Sequence, residues 1–122
     1  MKGFQILLIE DTEDLGEMIV DILTMEGFTV TWAKDGRQGL LLFNQNIPDL
    51  VLTDVIMPHV NGLEVVRKIR EKHGKKMPII ILSAKASPED EEAGYNAGAN
   101  IYLKKPCDSL LLVNTIHNLL SD

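Results

Sequence analysis

With 122 residues the chain has the size of one domain that closes its own hydrophobic core, so residues 1–122 read as a single unit that needs no disulfide staples. Twelve Lys and Arg against 18 Asp and Glu give a formal charge of -6, which disfavours nucleic acid as a direct partner, because such binding rests largely on neutralising phosphates with basic groups. A lone Cys107, no apolar run of about 18 residues, and a start at Met1–Phe4 that leads straight into a strand exclude an internal disulfide, a membrane span and a signal peptide. A cytoplasmic protein is expected.

Gln5-Ile6-Leu7-Leu8-Ile9 is a continuous apolar run that stops at Glu10-Asp11, so a first strand ends in a pair of carboxylates. Leu15, Met18, Ile19, Ile22 and Leu23 recur at i, i+3, i+4, i+7 and i+8, which predicts an amphipathic helix with that stripe on a sheet, stopped near Gly27. Phe28, Val30 and Trp32 alternate with Thr29 and Thr31 as in a half-exposed edge strand, so Trp32 reads as a packing residue. Asp35-Gly36 turns the chain into a second helix with its core face between Leu40 and Phe43.

Leu50-Val51-Leu52-Thr53 is bounded by Pro48-Asp49 and Met57-Pro58, and this buried strand ends on Asp54. A loop rich in Pro, Asn and Gly follows, then a third helix with Leu63, Val66 and Ile69 on one face and Gly74 at its end. Ile79-Ile80-Ile81-Leu82 is a fourth strand ending in Ser83. Ser87-Pro88-Glu89-Asp90 opens the next helix with a hydroxyl cap, a proline and first-turn acids; its thin apolar face predicts a loosely held helix. Ile101-Tyr102-Leu103 is a short fifth strand that leads to Lys104-Lys105-Pro106, and Leu112, Val113, Ile116 and Leu120 stripe the last helix. The His residues at 59, 73 and 117 have no ligand spacing and read as surface or satisfied groups.

Five strands alternate with five helices, and each strand is too apolar to face water on both sides, which is the pattern of a parallel α/β sheet covered on both faces. Parallel strands place Glu10, Asp11, Asp54, Ser83 and Lys105 on one edge, where such sheets bind ligands. Three carboxylates repel one another without a cation, and hard oxygen donors with room for water suit Mg²⁺. An amine and a hydroxyl beside them fit an anion held at the metal. The chemistry that follows is phosphoryl transfer, with a carboxylate as nucleophile.

At these residues the chain resembles the receiver domain of two-component response regulators, from about Gln5 to Leu120. Ile6–Asp11, Leu52–Pro58 with Asn61-Gly62, Ile80–Ala84, Gly94–Ala99 and Tyr102–Pro106 carry the resemblance in order. It implies a flavodoxin-like, doubly wound five-stranded sheet with strand order 2-1-3-4-5. It also implies that Asp54 is the phosphoacceptor, Asp11 a direct Mg²⁺ ligand, Glu10 a ligand through water and the Ile56 backbone carbonyl a further ligand. Ser83 and Lys105 then serve the phosphoryl oxygens, Tyr102 reports the change, and the Lys105-Pro106 peptide is cis. The implied partners are a sensor histidine kinase or phosphotransfer protein and a downstream output domain or protein, met through the fourth helix, fifth strand and fifth helix near Leu110 and Leu111. Two departures stand out: Glu10 replaces the commoner Asp, and Cys107 stands where an aromatic is usual.

Two other classes fit less well. A haloacid-dehalogenase-type phosphatase wants a second aspartate two residues past the nucleophile, where this chain has Ile56. A flavin carrier wants a hydroxyl- and glycine-rich loop after strand one, and Glu10-Asp11 would repel the flavin phosphate. Ile56 and Lys85 flank the expected path of an attacking water, and neither can act as a base there, so a slowly hydrolysed phosphoryl group is expected.

Overall fold

Runs of apolar residues become strands here because both of their faces are covered. The computed structural model describes residues 3–121; Met1, Lys2 and Asp122, the ends of the expected unit, lie outside the described residues. In chain order the elements are β1 (Gln5–Ile9), α1 (Glu13–Met25), β2 (Thr29–Ala33), α2 (Gly36–Gln45), β3 (Leu50–Thr53), α3 (Gly62–His73), a 3₁₀ turn (Gly74–Lys76), β4 (Ile79–Ser83), α4 (Pro88–Ala97), β5 (Ile101–Lys104) and α5 (Ser109–Leu120). The strands are all parallel and lie in the order β2-β1-β3-β4-β5.

Because side chains alternate along a strand, each central strand feeds two cores. Leu7, Ile9, Val51, Ile79 and Ile81 meet Phe43 of α2, Val65, Val66 and Ile69 of α3 and Ala97 of α4. Ile6, Leu8, Leu50, Leu52, Ile80 and Leu82 meet Ile19 and Leu23 of α1 and Leu112, Val113 and Ile116 of α5. Fully burying one such side chain stabilises the fold by about 1.5–3 kcal/mol. Two helices therefore cover one face and three the other.

The stripe expected for α1 is turned. Gly16, Ile19 and Leu23 are buried, whereas Met18 is 52% exposed. A Cβ on Gly16 would come within 2.0 Å of the Trp32 indole, so the helix backbone rests directly on that ring. A missing side chain is thus a core position, which a pattern of apolar letters does not count. Met18 moves to the rim of a groove toward α5, where Leu15 and Ile22 are half-buried.

Candidate functional site

Backbone pairing continues past the strand ends and sets the site. The Glu10 amide donates to the Ala33 carbonyl at 3.0 Å, the Asp54 amide to the Ile9 carbonyl at 3.1 Å, and the Lys105 amide to the Ser83 carbonyl at 2.9 Å. Residues from three separate strands are thereby held along one edge. Beyond Asp54 the chain folds back at once: the Gly62 amide donates to the Val55 carbonyl at 2.8 Å, and a Cβ on Gly62 would lie 1.9 Å from the Asp54 carbonyl oxygen. A side chain at 62 has no room, so glycine is required by close approach.

Within this frame Asp54 Oδ1 accepts the Val55 amide at 2.5 Å and the Ile56 amide at 3.4 Å, and Oδ2 accepts the Lys105 ammonium at 2.7 Å. The same ammonium lies 3.0 Å from Glu10 Oε1. Glu10 Oε2 accepts the Thr12 amide at 3.0 Å, and the Glu10 carbonyl accepts the Trp32 indole N–H at 2.9 Å. Thr53 donates its hydroxyl to the Asp54 carbonyl at 2.9 Å. Glu10 and Asp54 are buried and Asp11 is exposed, yet one oxygen from each lies within 4.8 Å of the others.

Burial alone would lower the Lys105 pKa, but its bonds to Asp54 and Glu10 outweigh burial and hold the ammonium above its usual value. One ammonium against three carboxylates leaves two negative charges in surplus (3 − 1 = 2). The donors are all hard oxygens, with no imidazole or thiolate among them, and one carboxylate faces water. Such a set fits a small hard dication that keeps part of its hydration, and Mg²⁺ is the match in chemistry.

Ser83 is fully buried, and its hydroxyl accepts the Lys85 amide at 3.1 Å. Tyr102 is buried behind it and donates its hydroxyl to the Lys85 carbonyl; burial pushes the phenol pKa up. The Lys105-Pro106 peptide is cis, as the resemblance implies. Ile56 presents a side chain that is 59% exposed and gives the site its amide. The structure thus gathers Glu10, Asp11, Asp54 and Lys105 directly, with Ser83 and Tyr102 joined through Lys85.

Sequence reasoning passed over several participants. Trp32, read as packing only, also holds the Glu10 carbonyl, and nothing local in the chain signals a bond between residues 22 apart. Backbone amides at Val55 and Ile56 carry no letter of their own; Pro58 and Asn61-Gly62 mark only that the chain turns there. Leu110 and Leu111 are 65% and 51% exposed, but Leu110 lies toward α1, beside Ile22 and Glu26, away from α4.

Residues 6–117 match the family model of the response regulator receiver domain. The chain belongs to that family. This receiver is 40% identical over 116 residues to the transcriptional regulatory protein CpxR of Escherichia coli (strain K12), covering 95% of this chain and 49% of that protein. It spans about half the length of such curated relatives. Among solved structures, the Francisella response regulator 1452 receiver domain superposes with a TM-score of 0.91 at 29% identity, covering 97% of both chains. Chemotaxis response regulator CheY4 of Vibrio cholerae superposes with a TM-score of 0.90 at 30% identity, covering 98% of this receiver and all of that chain. The fold is the flavodoxin-like receiver fold of two-component signalling. Among the described residues, no helix is long and apolar enough to cross a membrane.

Proposed function

We propose that this receiver accepts a phosphoryl group on Asp54 from the phosphohistidine of a sensor kinase or phosphotransfer protein, and that the new charge resets the surface formed by α4, β5 and α5. The observation that carries this reading is the Lys105 ammonium held between Asp54 and Glu10 at 2.7 and 3.0 Å, beside an exposed Asp11. In the transfer, an Asp54 carboxylate oxygen forms a P–O bond as the donor's P–N bond breaks, and that electron pair stays on the imidazole nitrogen. Glu10, Asp11, Asp54 and the Ile56 carbonyl would hold Mg²⁺, which when bound supplies charge neutralisation to the phosphoryl oxygens.

Each protein group then has a distinct task. The Val55 and Ile56 amides orient the Asp54 carboxylate, and Lys105 keeps its charge to pair with a phosphoryl oxygen. Ser83 only accepts in its bond to Lys85, so its own proton remains to be donated to a second oxygen. Because Tyr102 bonds the carbonyl of that same Lys85, a shift of Ser83 reaches Tyr102, giving it a different contact in the two states. For the donor, the apolar groove of about 300 Å³ between α1 and α5, rimmed by Met18, Ile22 and Cys107, opens beside Lys105 and suits a helix that carries the phosphohistidine.

Incubation with acetyl phosphate, or with a phosphohistidine donor, is expected to label Asp54 only when Mg²⁺ is present. Asp54→Asn keeps the shape and removes the nucleophile, and Asp11→Asn weakens the metal site. Undiminished labelling of Asp54→Asn, or labelling in excess chelator, rules the assignment out.

A further inference from the structure

Helix α4 is fastened unequally at its two ends. Its buried residues are Gly94 and Ala97, both in the C-terminal half. A Cβ on Gly94 would stand 2.5 Å from the Tyr102 ring, so the helix backbone lies directly on that ring. Arg70, in the last turn of α3, donates from Nε to the Gly98 carbonyl at 2.8 Å and from Nη2 to Asn100 Oδ1 at 2.9 Å. Its Nη1 bonds the Gly74 carbonyl at 2.9 Å, which locks the guanidinium to its own helix end. Asn100 Oδ1 also accepts the Ile79 amide at 2.8 Å, so a single oxygen ties this corner to β4. Finally, the Tyr95 hydroxyl accepts the Tyr102 amide at 3.2 Å, on the outer side of the edge strand β5.

The other end of α4 is closed on itself. Ser87 and Asp90 form a reciprocal capping box, with bonds of 3.0 and 3.1 Å that reach no other element. Lys85 approaches Asp90 at 3.8 Å, again locally. Apart from partial packing of Ala86, the ties from this end to the body are the Lys85 amide on the Ser83 hydroxyl at 3.1 Å, next to it in the chain, and, from outside its own limb, the Tyr102 hydroxyl on the Lys85 carbonyl. Tyr102 therefore holds both ends of α4, by different means. Rotation of its side chain breaks the bond at the N-terminal end, whereas its backbone amide stays on Tyr95.

We infer that Arg70 and Tyr95 are positioning residues of the switch, which pin the C-terminal end of α4 as a pivot so that the signal is delivered as a swing of its N-terminal end. This rests on the reading of Asp54 as phosphoacceptor. Hydrogen bonds from a charged guanidinium are stronger than neutral ones, and the guanidinium fork holds its two far acceptors at once, so the Arg70 corner outlasts the single Tyr102–Lys85 bond.

The test is amide NMR of the ¹⁵N-labelled protein on adding beryllium fluoride and Mg²⁺, for wild type, Tyr95→Phe and Arg70→Gln. In wild type, residues 83–91 and Tyr102 are expected to shift while Gly98, Ala99 and Asn100 stay in place. Tyr95→Phe keeps the ring and is expected to raise hydrogen exchange at the Tyr102 amide by roughly three- to tenfold, the worth of one neutral hydrogen bond. Arg70→Gln is expected to spread the shifts through Ala97–Asn100 while acetyl phosphate still labels Asp54 at the wild-type rate. Should Gly98–Asn100 of the wild type move as much as residues 85–91, the pivot is wrong. Should no residue move although Asp54 is labelled, the pivot fails as well. If Asp54 is not labelled at all, the phosphoacceptor reading falls and takes the pivot with it. The wild-type measurement stands even if Arg70→Gln does not fold.

Discussion

The helices of the limbs β3–α3 and β4–α4 are neighbours on one face of the sheet, and each limb carries a candidate site residue at its strand end, Asp54 just after β3 and Ser83 as the last residue of β4. Each helix also opens with a side-chain cap: Asn61 accepts the Glu64 amide at 3.1 Å and Ser87 the Asp90 amide at 3.1 Å. They differ in what seats them. Helix α3 buries Val65, Val66 and Ile69, and the Gly62 backbone lies against Asp54. Helix α4 buries only Gly94 and Ala97 and depends on hydrogen bonds. Branched side chains packed at crystal-like density permit one seat, while a helix held by a few polar bonds can exchange seats at small cost. The limb that carries Asp54 is therefore seated by packing and the limb that leads from Ser83 more loosely, by hydrogen bonds, which is the division of labour that the proposed switch needs.

Truncation should widen this contrast most. Ile69→Ala is expected to cost about 2–5 kcal/mol in denaturant unfolding, as core truncations do. Ala97→Gly in α4 is expected to cost only about 1 kcal/mol, mostly helix propensity. Equal losses would mean that α4 is seated as firmly as α3.

Next come the loops that lead into the two helices. Ile56 offers no hydrogen bond from its exposed side chain, and Lys85 points its ammonium toward Asp90 at 3.8 Å, so neither side chain is placed to orient a water toward a phosphoryl group on Asp54. The double variant Ile56→Asn, Lys85→Glu is expected to shorten the lifetime of phosphorylated protein by about 10²-fold, the lower range for a water-orienting or basic group. Decay no faster than wild type would show that these positions do not set it.

Gly94→Ala probes the seat of α4 itself. The change favours the helix by about 1 kcal/mol through propensity, but the new methyl meets the buried Tyr102 ring, and overpacking costs about 1–3 kcal/mol. A net loss of stability is expected, with NMR shifts centred on Tyr102 and Lys85. A variant more stable than wild type would mean that the ring yields freely.

The smallest effect separates the two caps by pH. The Ser87 hydroxyl, and then its amide, hold the Asp90 carboxyl below the usual carboxylate range. A carboxyl lowered on folding contributes stability above its unfolded value, about pH 4, and loses it as the pH falls through the lower folded value. Asn61 does not titrate. Acid titration followed by hydrogen exchange is thus expected to fray the first turn of α4 before that of α3, and simultaneous fraying would remove the distinction.

Much of this molecule is legible along the chain. Runs of apolar residues at strand length, helical stripes and the cap at Ser87 are local, and a backbone of fixed period turns such patterns into elements. The polar residues at the ends of β1, β3, β4 and β5 were legible for the same reason, since parallel strands must deliver their ends to one edge. What lay beyond reach depends on which elements become neighbours and at what depth. Trp32 bonds Glu10 from 22 residues away and Lys105 bonds Asp54 from 51 away, because the sheet order and register bring those strands together. The burial of Gly16 in place of Met18, the fit of Gly62 against Asp54 and the reach of Arg70 to the end of α4 are matters of close approach between backbones and side chains. Periodicity states which way a residue faces, and only packing in three dimensions decides how near its neighbour comes.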